Sequence, residues 1–351
     1  MKNLVIIGGG FAGAYIAKKL EKDKNFNITL IDTKDYYEFT PGILRAIVSP
    51  KHAKRIQVLH THYLKKSRVI VESVKKITEE EVITDNNKIK FDYLIICSGS
   101  SYNAPFKEKN LINPTRTRHI RDYYEKLEKA KSIAIIGGGI VGTELTGELI
   151  DFYGEKKAKE ITIIHKHDKL MERNNKKTSE YSEKLFKKHG VKIINNEKAL
   201  SYKNNTVKTD KNNKIKADLI FLCTGITPNS EFLPKNWLND KKQANVNEFF
   251  QVINNKKNKL YKNIFAAGDI TAIKEEKLAQ NAEKHAKHVI KNLKLLENNH
   301  ELKPYKSKKR IMVISLGRFN GIFHYKNLAI TGLFPGLLKT LIEWKTMIRY
   351  K

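Results

Sequence analysis

The stretch from Leu4 to Leu20 leaves this chain few folds to choose between. Leu4-Val-Ile-Ile7 reads as a buried strand, Gly8, Gly10 and Gly13 form G-x-G-x-x-G, and a helical pattern follows at once. Gly8 permits the tight turn, Gly10 lets a phosphate approach the backbone, and Gly13 lets helix and strand pack closely. The unpaired N–H groups and positive dipole end of the helix start favour a pyrophosphate. A glycine-rich turn between core elements would also explain the motif alone. The context favours a dinucleotide: Asn27–Asp32 reads as a second strand, and its terminal acid lies 24 residues after Gly8. A carboxylate at that place accepts hydrogen bonds from a ribose.

The unit then recurs. Ser132–Gly142 repeats the strand and fingerprint with Gly137, Gly139 and Gly142, and Ile161–His165 takes the place of the second strand. Each copy closes on a strand with a small-residue turn, at Gly99 and at Gly225. The spacing from first to closing glycine is 91 residues in one copy and 88 in the other. A repeat of this length predicts an α/β chain with two Rossmann-like dinucleotide-binding domains. Two nucleotide sites in one chain imply a reaction that passes between two cofactors.

The remaining segments fit around these units. After Asp32, Thr33–Arg45 holds an aromatic cluster broken by Pro41-Gly42, suited either to running beside a ring system or to packing over the sheet edge. Residues 67–97 read as an antiparallel meander leading into the strand before Gly99, and 191–216 repeat it. A charged helix is predicted around Arg121–Lys131. Leu260–Asp269 reads as a buried strand ending in Gly268-Asp269, followed by an amphipathic helix from about Glu275 to Leu296. The tail offers a strand-like Arg310–Ser315, glycine turns and a last helix over 335–349. The expected units are 1–112 with 246–305, then 113–245, and a C-terminal region, 306–351.

Length suits about two domains. The balance of 67 Lys and Arg against 37 Asp and Glu gives a net charge of +30, which favours anionic partners. No basic block interleaved with aromatics is present, so no specific nucleic-acid partner is expected. The first strand begins by residue 3 or 4, leaving no room for a signal peptide, and no apolar run approaches the roughly 18 residues of a membrane span. Two cysteines, Cys97 and Cys223, form neither a disulfide framework nor a metal site. A cytoplasmic location is expected.

With both fingerprints, Thr40-Pro-Gly42, Cys223-Thr-Gly225 and Ala266-Ala-Gly-Asp269 in order, the chain resembles the two-dinucleotide-domain flavoprotein reductases. It is most similar to the apoptosis-inducing-factor-like group that includes ferroptosis suppressor protein, and next to the type II NADH dehydrogenases. The resemblance covers the whole chain and implies a glutathione-reductase-like FAD/NAD(P) fold. It further implies FAD in the first domain, NADH or NADPH in the second, and a quinone as acceptor. By this resemblance, hydride would pass from NAD(P)H to the flavin and two electrons from the flavin to the quinone. Position by position, Gly8, Gly10 and Gly13 would hold the FAD pyrophosphate, Asp32 the adenosine ribose, and Asp269 the ribityl-phosphate portion. Lys107 matches a basic residue near the flavin. Glu144 matches the glutamate at the flavin–nicotinamide junction, although a solvated first-turn Glu favoured by the helix dipole is the plain alternative. The helix beginning near Lys277 would point its N-terminus at the flavin ring edge.

One position departs from the NADH pattern. His165, Lys166 and His167 stand where the second domain's ribose acid is usual, so NADPH is expected to be accepted as well as NADH. Cys97 and Cys223 occupy equivalent strand ends in separate copies, which disfavours disulfide reductase or sulfide:quinone chemistry. In the last helix, Leu337, Leu341, Trp344 and Ile348 form one stripe flanked by Phe334 and Leu338. Such a stripe suits a helix lying on an anionic membrane or one packed on the protein's own body. A soluble reductase serving an iron–sulfur protein is the rival, and the terminal helix discriminates against it, since such an enzyme has no need of a lipid-facing stripe. A nucleotide-sensing or nucleic-acid-binding flavoprotein is the non-enzyme alternative, motivated by charge.

Overall fold

The computed structural model describes residues 1–154, 159–307 and 311–351. Two parallel sheets form its frame. The first has six strands in the order Gln251–Asn254, Lys259–Ala266, Tyr93–Ile96, Lys2–Ile7, Phe26–Asp32 and Arg68–Val71; all are parallel except the edge pair Gln251–Asn254 with Lys259–Ala266. The second has four parallel strands: Lys192–Ile194, Glu160–Ile164, Ser132–Ile136 and Leu219–Leu222. Runs such as Leu4-Val-Ile-Ile7 and Ile133-Ala-Ile-Ile136 are apolar throughout because both faces of a parallel sheet are covered.

In each sheet the fingerprint strand is central, with its glycines at the carboxyl end. The helices Phe11–Leu20 and Ile140–Tyr153 leave directly from them. A parallel α/β sheet collects ligands at these strand ends. The strands Gln251–Asn254 and Lys259–Ala266 return to the first sheet and bring Gly268-Asp269 to the same edge.

Three expectations change. Arg68–Val71 and Lys192–Ile194 belong to the parallel sheets, so the meanders are confined to Val74–Lys90 and Ala199–Lys216. β-branched runs serve both kinds of sheet, and their pairing partners lie far away in sequence. The helix expected from Glu275 starts at Ala279, because Glu275–Leu278 turns on its own backbone bonds, with Leu278 N–H donating to Glu276 O. The tail holds three antiparallel strands, Ile311–Ser315, Gly321–Tyr325 and Leu328–Gly332, before the helix Leu333–Met347. Arg310 of the expected strand lies outside the described residues.

The two nucleotide halves are joined at their repeated ends. Ser100–Ser101, just after Gly99, pairs antiparallel with Thr227–Pro228, just after Gly225. Ser98 Oγ donates to Asn229 O (2.7 Å), and Asn229 Nδ2 returns a bond to Ser98 O (2.9 Å). Arg116, on the helix Asn113–Lys129, is buried against Glu38 (3.1 Å) and Glu108 (2.6 Å), which fastens that helix to the first half.

Candidate nucleotide and electron-transfer site

The three glycines of each fingerprint are sorted by what surrounds them. Gly8 and Gly137 have φ of +95° and +108° over Cys97 O and Cys223 O, a backbone that side chains rarely adopt. A Cβ on Gly13 would lie 1.8 Å from Gly8 O, and one on Gly142 would lie 1.9 Å from Gly137 O. Gly10 and Gly139 face open space. The third glycine therefore closes the packing, while the second leaves the helix N-terminus bare, which suits a phosphate.

Asp32 lies beside the first cradle. Its Oδ2 accepts from Gly9 N–H (2.7 Å) and from the fully buried His60 Nε2 (3.3 Å), whose Nδ1 faces Tyr63 OH (2.7 Å). Burial pushes the Asp32 carboxyl up, but the His60 bond and the charges of Lys34 and His60 outweigh it and hold the group below its ordinary value. A cavity of about 260 Å³ opens here, lined by Gly8, Asp32, Glu72, Ser98, Asn229 and Phe232 among others. Its lining combines the Asp32 and Glu72 carboxylates and Asn229 with the apolar Ile7, Ile31 and Phe232. The cradle, its acid and this cavity fit an adenine dinucleotide.

Asp269 and Lys107 are brought together. Lys107 Nζ donates to Asp269 Oδ2 (3.0 Å) and to Ser100 Oγ (2.9 Å), and Ser100 Oγ donates to Asp269 (2.6 Å). Burial raises the Asp269 carboxyl, yet Lys107 and Ser100 hold it below its usual range. Gly268 N–H donates to His285 Nδ1 (3.3 Å), and His285 Nε2 meets Glu275 Oε2 (3.0 Å). Lys277 is not in the helix: its Nζ donates to Thr271 O (2.6 Å) and Ile273 O (3.3 Å), and burial lowers its pKa.

Glu144 is buried one turn inside its helix, so it is neither solvated nor in the first turn. Its Oε1 accepts from Lys339 Nζ (2.8 Å) and Ser315 N–H (2.9 Å). Glu148, one turn on, takes both Arg45 Nε (3.1 Å) and Nη2 (3.0 Å), together with Ser315 Oγ (3.2 Å). This network ties together the first half through Arg45, the second through the two glutamates, and the C-terminal region. Glu148 was legible as a residue four after Glu144 on one helix face; Lys339 and Ser315 carry no sequence signal for this role.

The remaining positions are peripheral to these clusters. Pro41 is half-buried in a 3₁₀ turn whose Gly42 packs on Ile56 and Glu343. Gly99 O accepts from Asn229 N–H and Gly225 N–H donates to Tyr102 OH, so both closing glycines serve the junction. His165 Nδ1 accepts from Gly138 N–H (3.1 Å), the counterpart of Gly9 with Asp32. Cys97 and Cys223 are buried and free, and burial pushes both thiols up, away from thiolate chemistry. Among the described residues no cluster of His, Cys, Asp and Glu could hold a metal ion.

The last helix is turned inside out. Two of its charged residues face the protein, Lys339 reaching Glu144 and Glu343 reaching His52 Nε2 (3.1 Å), while Thr340 and Lys345 stay exposed. Its apolar residues Phe334, Leu337, Leu341, Trp344 and Ile348 are 50–61% exposed, as are Leu333, Phe319 and Leu328 nearby at 53–57%. No described helix is long and apolar enough to cross a membrane.

Fold and site together define a two-dinucleotide-domain oxidoreductase. Residues 2–286 match the pyridine nucleotide-disulphide oxidoreductase family, and the chain belongs to it. It is accordingly a flavoprotein that uses FAD and NAD(P)H. It is 33% identical to apoptosis-inducing factor homolog A of Dictyostelium discoideum, over 92% of this chain and 84% of that protein. It is 26% identical to human ferroptosis suppressor protein 1, over 98% of this chain and 95% of that one. Among solved structures, NDH2 of Plasmodium falciparum in complex with NADH superposes with a TM-score of 0.81 at 16% identity, covering 99% of this chain and 96% of that one. The sulfide:quinone oxidoreductase of Aquifex aeolicus gives 0.82 at 20% identity, covering 100% and 91%. These structural likenesses carry the fold.

Proposed function

We propose that this protein takes hydride from NAD(P)H and reduces a lipid-soluble quinone, docking through Leu333–Met347 on the cytoplasmic face of an anionic membrane. In this reading residues 1–112 and 246–305 hold FAD, and 113–245 hold the nicotinamide nucleotide. Bound FAD supplies the capacity to accept a hydride and release its electron pair. The protein's part is positioning and electrostatics. Gly8, Gly10 and Gly13 present the pyrophosphate cradle, Asp32 accepts from the adenosine ribose, and Asp269, set by Lys107 and Ser100, accepts from the ribityl portion. In the second cradle, Gly137, Gly139 and Gly142 do the same for the nicotinamide nucleotide. Glu144 and Lys339 stand where the two halves meet the C-terminal region.

The observation that carries the acceptor and the membrane is the outward apolar face of the last helix, joined to the interior through Lys339–Glu144. Full burial of one large apolar side chain is worth about 1.5–3 kcal/mol. Five such side chains, each at least half exposed, leave on the order of 5 kcal/mol to gain at a lipid surface. A soluble reductase serving an iron–sulfur protein has no use for that face. The structural neighbours include a sulfide:quinone oxidoreductase and an NADH complex of NDH2, which agrees with a quinone acceptor and a nicotinamide donor.

The test is a flavin spectrum of the purified protein, anaerobic bleaching by NADH, and recovery of colour on adding ubiquinone in liposomes. Reoxidation is expected to be faster in liposomes carrying anionic lipid. A colourless protein that takes up no FAD would end the proposal; bleaching without quinone-driven recovery would end its acceptor half.

A further inference from the structure

The second cradle lacks an acid on its strand, yet a carboxylate stands beside it. His165 Nδ1 accepts from Gly138 N–H, so the proton of its neutral ring sits on Nε2. That Nε2 is buried, makes no hydrogen bond, and lies 3.5 Å from Glu172 Oε2. Glu172 Oε1 lies 3.7 Å from His167 Nε2 and 3.7 Å from Arg173 Nε. Three side chains thus face one partly exposed carboxylate from 3.5 to 3.7 Å, beside the end of Glu160–Ile164. We infer that Glu172 supplies the ribose carboxylate missing from the strand and makes NADH, rather than NADPH, the favoured donor of the second domain. The inference rests on the assignment of the nicotinamide nucleotide to residues 113–245.

The comparison between the two halves gives the physical reason. In the first half Asp32 bonds the fingerprint amide directly, through Gly9 N–H. In the second, an imidazole occupies that bond, and the acid follows it, one ring further from the amide. A 2′-phosphate projects outward from the ribose, away from the fingerprint, so a carboxylate displaced outward by one ring would face it. A carboxylate there accepts from a 2′-hydroxyl and repels a 2′-phosphate. Burial lowers the pKa of His165, so its ring is neutral near pH 7 and adds no charge beside Glu172, which leaves the largely exposed Arg173, 3.7 Å away, as the permanent cation next to the carboxylate. Lys166, which in the sequence favoured a 2′-phosphate, is exposed and takes no part in the Glu172 cluster.

The experiment uses FAD-loaded protein and calorimetric titration with ADP-ribose and with its 2′-phosphate, alongside anaerobic flavin reduction by NADH and NADPH. The wild type is expected to bind ADP-ribose about tenfold or more tighter than the 2′-phosphate. Glu172→Gln should narrow that ratio severalfold and Glu172→Lys should invert it, with the same order in the reduction rates. Lys166→Gln should leave the ratio within about twofold. Equal binding of the two fragments by the wild type, or a ratio unmoved by Glu172→Gln, would overturn the inference while leaving the nucleotide domain standing. Binding of neither fragment would overturn both the domain assignment and the inference.

Discussion

A single added methyl separates the tasks of two glycines in the first fingerprint. Gly13→Ala would drive a Cβ into Gly8 O, a backbone atom that cannot give way without moving the turn. Overpacking of that kind costs about 1–3 kcal/mol or more, so thermal unfolding of the apo-protein should shift well downward. Gly10→Ala meets nothing within 4 Å. Its apo-protein should unfold at the wild-type temperature, with loss appearing in flavin content. Equal behaviour of the two variants would contradict the division of labour between them. The glycines and Asp32 were legible in the sequence because their spacing states their chemistry. His60 was not, since it lies 28 positions after Asp32 with no periodic signal to link the two.

The last helix shows what a helical wheel contains and what it leaves out. The stripe Leu337, Leu341, Trp344 and Ile348 was readable from spacing, but a wheel has no sign: the same stripe suits a helix on lipid and a helix on its own core. Ion pairs on the opposite face decided the direction. Lys339→Met would strand the buried Glu144 carboxylate. Removal of one partner from a buried pair costs about 3–5 kcal/mol, so amides of Leu333–Met347 should exchange faster and the denaturation midpoint should fall. An unchanged midpoint would mean that the pair contributes little to seating the helix. On the outer face, Leu337→Glu with Trp344→Glu should abolish flotation with anionic liposomes while leaving NADH bleaching of the flavin intact; undiminished flotation would remove the helix from the membrane contact.

At the scale of the whole molecule, two buried histidines and a half-buried third set a pH limit. Burial lowers the pKa of His165, His285 and His288 below the ordinary 6.5. Below that value the unfolded chain binds protons that the folded chain refuses. The stability these groups contribute is therefore fully present above pH 6.5 and declines as the pH falls through their folded values. Asp32 and Asp269, held below 3.8, add a second loss at still lower pH. Chemical denaturation between pH 8 and 4 should show stability flat above about pH 7 and falling below it; stability constant from pH 7 to 5 would contradict the neutral burial of these rings. The net charge of +30 acts at longer range, so vesicle binding should weaken with salt while bleaching by NADH changes little.

The sequence by itself determined the two cradles, the repeat that relates them and the apolar stripe of the tail. All are local patterns, in which a strand, a turn and a helix state their geometry within a few tens of residues. Only the tertiary structure decided which way the stripe faces, that Lys107 sets Asp269, and that Glu144 meets Lys339 across 195 residues. Those outcomes depend on pairs that close only when distant segments share one interior. There an unpartnered charge is too costly to leave, and no local pattern names the partner.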